Sequence, residues 1–175
     1  MDLADILSKD QILADMQATN QWEAIDELIA NLVATGKIKP EHKDAVTAAV
    51  KKRESTCSTG IGSGIGIPHA STDLVEELVY GLGRSKEGID FDALDNQPVN
   101  LVVLILVPEG QDFKNLRMLA SLAKLLNKAA ARLALEQAPD AEAMHKAILV
   151  TQEGLSPRTL PPPQPGPQPQ SETRQ

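Results

Sequence analysis

Cysteine is nearly absent from this chain, where Cys57 stands alone. A single thiol cannot close an internal disulfide, so the fold does not depend on an oxidising compartment. No second cysteine completes a Cys-x-x-Cys pair, and Cys57 reads as a small, half-buried residue without chemistry. Aromatic residues are scarce at 2%, and 17 Lys and Arg are outnumbered by 24 Asp and Glu, giving a formal net charge of -7. A chain of that sign, without a basic stripe or aromatic platforms, repels backbone phosphates, which excludes nucleic acid as a partner. Long apolar runs are missing too. The longest, Leu101 to Val107, is far too short to cross a bilayer, and no direct membrane insertion is expected. The opening residues, MDLADILSKDQ, carry acid where a signal peptide needs a basic region, so a cytoplasmic protein is expected. Histidine occurs three times, at His42, His69 and His145, with no spacing that sets two on one helix face as metal ligands. His42 and His145 lie in polar helical contexts and read as surface residues.

What is present suits a single domain. The 175 residues are 42% hydrophobic and 23% charged, ordinary values for a globular chain with a sizeable core. NQWEAIDELIANLVATG places Trp22, Ile25, Leu28, Ile29, Leu32 and Val33 at helical spacing, with Asn20 as N-cap and Gly36 as the stop. PEHKDAVTAAVKKRE begins a second helix with Pro40 in its first turn and ends it in basic residues. ELVYGLGRS and NLVVLILVPEG read as strands, the second apolar on both faces and therefore central. The turn-rich segment between them, EGIDFDALDNQPVN, has room for a short edge hairpin. A third helix follows with Asp112 as its N-cap and Leu116, Leu119, Ala120, Leu122, Ala123 and Leu126 on one side. Further helix occupies 132–150, restarting after Pro139. Helices at both ends with strands between them predict an α/β three-layer sandwich, a mixed β-sheet with helices on both faces. The domain is expected over 1–153. Residues 154–175 hold seven of the twelve prolines and read as a disordered tail, either inert or a docking segment for a proline-recognising groove.

The unusual stretch is STGIGSGIGIPHA, Ser58 to Ala70, with four glycines, a proline and a histidine. Glycine admits positive φ and close approach, and Pro68 restricts the direction in which the chain leaves the turn. Familiar phosphate motifs fail here. No Gly-Lys-Ser/Thr ending makes a P-loop, and a dinucleotide fingerprint begun at Gly62 would need glycine where Ile67 stands. Ser63 lies directly between two glycines, so it is not a nucleophile elbow. A lone imidazole in a glycine-lined turn remains, and two readings stand: a structural turn histidine, or a nucleophile. Imidazole is competent at neutral pH because its ordinary pKa is about 6.5. Backbone N–H groups of a glycine-rich turn and of a helix N-terminus suit an anion. Transient phosphorylation of His69 is chemically reasonable on these grounds.

The runs KKRESTCSTGIGSGIGIPHA, FDALDNQPVNLVVLILVPEG and LRMLASLAKLL resemble the enzyme IIA domain of the fructose–mannitol class of the bacterial sugar phosphotransferase system, nitrogen-related regulatory relatives included. The resemblance spans about residues 3–150. It implies an α/β sandwich with a mixed sheet and no cofactor. The histidine of Ile-Pro-His, here His69, would accept a phosphoryl group from the HPr phosphocarrier and pass it to a cysteine of a IIB component. The alternative it implies is a regulatory module whose affinity for a target protein follows His69 phosphorylation, or which is no longer phosphorylated. Arg53 of the Arg-Glu pair would hold phosphoryl oxygens, unless it is simply a helix C-terminal charge. Thr59, Gly60 and Gly62 would support the phosphoryl group. Two positions depart from the family. Asn115 stands where many members carry a second histidine, and an amide donates a hydrogen bond but carries no charge. Gly66 stands where alanine is usual.

Overall fold

The computed structural model describes residues 7–153, apart from the side chains of 112–115, 118 and 151–153. The expected tail, 154–175, lies outside the described residues. Helix α1 (Gln21–Ala34) starts where the Asn20 side chain accepts from the backbone N–H of Trp22 and Glu23, both at 3.0 Å. It ends before Gly36, whose φ of +78° no β-carbon-bearing residue adopts easily. A short 3-10 turn, Pro40–His42, leads into α2 (Lys43–Thr56). Strands β1 (Ile12–Leu13), β2 (Gly60–Gly62), β3 (Ile65–Gly66), β4 (His69–Thr72), β5 (Val79–Ile89) and β6 (Val99–Pro108) form one sheet. Helices α3 (Asp112–Leu126), α4 (Ala129–Gln137) and α5 (Ala141–Glu153) complete the described chain.

The sheet runs β1-β5-β6-β3-β2, with β4 also on β6. β5 is antiparallel to β6, while β3 and β4 are parallel to it, so the sheet is mixed as expected. Every residue of β6 except Asn100 is buried, which explains its unbroken apolar run. Its side chains alternate. Val102, Leu104 and Leu106 join Leu28, Leu32, Val46 and Val50 under α1 and α2. Leu101, Val103, Ile105 and Val107 join Leu122, Leu125, Leu135 and Met144 under α3, α4 and α5. Helices therefore cover both faces.

Several local expectations are corrected. The segment 90–98 contains no strand; it is a loop joined to the rest by the isolated bridge of Asp90 with Asn20 and by the fully buried Phe91. The hairpin lies earlier, in the glycine-rich stretch, because Ser63 and Gly64 take φ of +56° and +75° and reverse the chain between β2 and β3. Asp112 is the first residue of α3 rather than its cap, which is Gln111. Leu116 is exposed at 70%, and Leu125 takes the buried place instead. His42 and His145 are half-buried rather than on the surface, with Nδ1 and Nε2 respectively buried and unpartnered among the described residues. Cys57 is exposed.

Arg84 of β5 is the largest fully buried side chain, and it projects into the layer of α4. Its Nε donates to the carbonyl of Ala14, and its Nη1 to those of Leu135 and Ala138 at the end of α4. Tyr80, on the same face of β5, has its hydroxyl buried without a partner among the described residues, and burial pushes the phenol up to about 12.

Candidate functional site

β3 and β4 keep the same register against β6: Ile65 and Gly66 face Leu101 and Val102, and His69 and Ala70 face Ile105 and Leu106. They are one strand line interrupted at Ile67–Pro68. The interruption has a simple cause. Pro68 has no N–H for the ladder, although its carbonyl still accepts from Ile105 N at 3.0 Å. Ile67 points its polar groups the other way, toward β2, and its N–H donates to the Thr59 carbonyl at 3.1 Å. Its carbonyl is thereby left out of the ladder with β6. The His69 ring takes it, with Nδ1 at 2.9 Å from Ile67 O.

A carbonyl oxygen only accepts, so Nδ1 is the protonated nitrogen and the lone pair of the neutral ring resides on Nε2. Ala70 belongs to the core beneath α1 and α2, so alternation sets His69 on the opposite face, opposite Ile105 and beneath the layer of α3. The ring is half-buried. α3 leaves the end of β6 through Gly110, at φ +84°, and Glu109 N donates to Thr72 O at the end of β4. The first turn of α3 thus begins beyond the Thr72 end of β4, the strand that His69 opens three residues earlier. Asn115 belongs to that opening stretch of α3, but its side chain lies outside the described residues.

The other expected residues divide. Arg53 sits in the last turn of α2, which packs beside β4, and its exposed guanidinium donates to the Cys57 carbonyl at 3.3 Å. Thr59 is buried and both of its donors are taken: N–H to Glu54 Oε1 at 2.9 Å and Oγ1 to Glu54 Oε2 at 2.6 Å. Gly60 N donates to Ser58 Oγ at 3.1 Å, and a β-carbon on Gly60 would lie 2.7 Å from that of Ala93. Both residues scaffold the loop and offer no free donor there. Gly62, at φ +94°, lies beside the carboxylate of Asp95, which also accepts from Ser63 N. That placement disfavours a second anion. A β-carbon on Gly66 would come within 2.9 Å of the Phe91 ring, so the departure from alanine is matched by an aromatic neighbour filling the space.

Glu54 was missed as more than half of an Arg-Glu pair. It is 2% exposed. The signal was available, because Val46, Val50 and Glu54 recur every fourth residue and all three are buried on one stripe of α2. No group of three or more His, Cys, Asp or Glu that could hold a metal occurs among the described residues. No described helix is long and apolar enough to cross a membrane.

Comparison with known proteins shows the family and the fold. Residues 5–150 match the family described as "Phosphoenolpyruvate-dependent sugar phosphotransferase system, EIIA 2". The chain is 36% identical over 144 residues to a fructose-specific EIIABC component of Bacillus subtilis, covering 82% of this chain but only 22% of that longer protein. It is 37% identical to a fructose-specific EIIA component of Haloferax volcanii, covering 71% of this chain and 80% of that one. It is 30% identical to a nitrogen regulatory protein of Bradyrhizobium diazoefficiens, over 85% of this chain and 95% of that one. Among solved structures, the nitrogen regulatory protein IIA-Ntr of Neisseria meningitidis superposes with a TM-score of 0.76 at 27% identity, covering 83% of this chain and 98% of that one. The complex of IIA mannitol with phosphorylated IIB mannitol from Escherichia coli shares the fold, with a TM-score of 0.69 at 20% identity over 82% of this chain and 97% of the matched one. With its mixed sheet, its Ile-Pro-His strand and a family match over nearly all its described length, the chain belongs to the EIIA 2 family of the phosphoenolpyruvate-dependent sugar phosphotransferase system.

Proposed function

We propose that His69 is the phosphoryl acceptor of a cytoplasmic phosphocarrier, that an HPr-like protein loads it, and that a IIB component unloads it. One observation carries the reading: Nδ1 is held by the Ile67 carbonyl, so Nε2 presents its lone pair on a half-buried ring. In the step, the Nε2 lone pair forms the N–P bond while the bond from phosphorus to the donor atom breaks, its electron pair leaving with the donor. The ring becomes positively charged, and the Nδ1 proton, still donated to Ile67 O, meets a stronger demand for its acceptor. Arg53 serves the phosphoryl oxygens, as its exposure beside β4 permits, and the Asn115 amide supplies a neutral donor from α3. Thr59, Gly60 and Gly62 act as scaffold. The reacting unit is 1–153, with 154–175 appended to it.

A related IIA mannitol domain was solved with phosphorylated IIB mannitol, which supports the unloading partner. The regulatory alternative has its own support. The Bradyrhizobium relative, matched over nearly its whole length, is a nitrogen regulatory protein, so a target protein read through the state of His69 is the second reading. Incubation with phosphoenolpyruvate, enzyme I and HPr should add one acid-labile phosphoryl group, seen by mass spectrometry of the intact protein. His69→Ala should abolish it. Undiminished labelling of that variant overturns the assignment. Release of the label by a IIB domain separates the transport reading from the regulatory one.

A further inference from the structure

We infer that Glu54 is a positioning residue for phosphoryl transfer, holding the His69 ring in its Nδ1–H tautomer through Thr59 and Ile67. The inference rests on the reading of His69 as acceptor. A continuous line of hydrogen bonds links the two side chains. Both Glu54 carboxylate oxygens accept from Thr59, from N–H at 2.9 Å and from Oγ1 at 2.6 Å. The Thr59 carbonyl accepts from Ile67 N at 3.1 Å, and the Ile67 carbonyl accepts from His69 Nδ1 at 2.9 Å.

Two features set Glu54 apart from an ordinary loop fastener. Its carboxylate is buried without an ion-pair partner among the described residues, an arrangement that costs free energy and that an alanine or leucine on the Val46–Val50 stripe would avoid. An ionised carboxylate is also acceptor-only, so it makes the Thr59 hydroxyl donate beside the N–H, which always does. A glutamine would admit the reverse polarity at the hydroxyl and so loosen that one link, while the main-chain links keep their direction. With the carboxylate in place, Thr59 cannot slip along β2, and its carbonyl stays aimed at Ile67. Pro68 makes this matter. Because the ladder with β6 is broken at that residue, the Ile67 peptide takes its position from Thr59 on the opposite side. Loss of Glu54 therefore frees the one acceptor that keeps Nε2 without a proton.

The test compares parent, Glu54→Gln, Thr59→Val and Thr59→Ser in the full chain. Proton–nitrogen correlation spectra of the ring report the tautomer directly and need no phosphoryl donor. Transfer from HPr phosphorylated with phosphoenolpyruvate reports the rate. The parent ring should be in the Nδ1–H form alone. Glu54→Gln and Thr59→Val should admit the Nε2–H form and slow transfer by about tenfold or more at unchanged apparent KM for phospho-HPr. Thr59→Ser keeps both donors and should restore tautomer and rate together. Folded variants with the parental tautomer and parental rate would overturn the inference. A parental tautomer with a slowed rate would do so as well, since positioning through the ring would then not be the cause. Should either non-conservative variant fail to fold, the other still decides. Failure of the parent to take label at His69 would sink the acceptor reading, while the spectra would still decide whether Glu54 sets the ring.

Discussion

Glu54 and Arg84 are buried to nearly the same degree, 2% and 1% exposed, and neither has an ion-pair partner among the described residues. Their surroundings differ in kind. Arg84 donates only to main-chain carbonyls, Ala14 beside β1 and the end of α4, so one cation joins three segments distant in sequence. Glu54 gives both oxygens to a single residue five positions ahead, at the start of the strand hairpin that leads to His69. The first arrangement spreads one charge over the carbonyls that close a helix, where the helix dipole favours a cation. The second concentrates a charge on one loop. Stability is the expected product of the arginine, and local geometry the expected product of the glutamate.

The largest effect should come from the arginine. Arg84→Met keeps bulk but strips every donor, leaving buried carbonyls at the end of α4 unmet, and should cost about 3 kcal/mol. For a chain of this size that lowers the melting temperature by roughly 6–12 °C. Below its transition the variant should accept phosphate as the parent does. Unchanged thermal unfolding would break the comparison, because the carbonyls would then be served without the arginine. An intermediate effect is expected at the site edge. Gly66→Ala sets a β-carbon against the Phe91 ring and should destabilise by about 1–3 kcal/mol, with Phe91→Leu in the same chain recovering most of it. Denaturant melts of the single and double variants measure that coupling.

The smallest effect sharpens the arginine side. Tyr80 is the only tyrosine, so its phenolate absorbance can be followed without interference. Burial raises the folded pKa to about 12 from an ordinary value near 10. The neutral phenol is thus favoured in the folded chain. The contribution is fully present below pH 10 and is lost as pH rises through 12, where the native state must ionise as well. Absorbance should rise near pH 12 in the native protein and near pH 10 in denaturant. Coincident titrations would mean that water reaches the hydroxyl on β5.

Much of this was legible in the residues. β6 announced itself as central because seven consecutive apolar residues suit a strand buried on both faces, and Asn20 and Gly36 marked the ends of α1. The Ile-Pro-His pattern pointed to His69. Other features were hidden by the limits of local patterns. The strand hairpin 60–66 was masked because glycine contributes no apolar alternation, and the segment 90–98 shares the turn composition of a hairpin without forming one. Leu116 fits the helical period yet stays exposed in the opening turns of α3. Nothing in the local pattern marks Arg84 as buried, because its partners are main-chain carbonyls that no side-chain pattern encodes. The line from Glu54 to His69 escaped for the same reason, as two of its links are main-chain groups.

The gap at Pro68 has an entropic consequence. His69 opens a strand whose backbone is fastened to β6, while its ring is fastened to the carbonyl just before the gap. Backbone and ring rotations are both settled when the sheet forms. A nucleophile on a free loop would have to lose those rotations at each encounter with its donor, and the loss would appear in every barrier. Here the ordering is complete before any partner arrives. In the role proposed for His69, the uncertainty left at encounter belongs to the approaching phosphoryl group rather than to the ring.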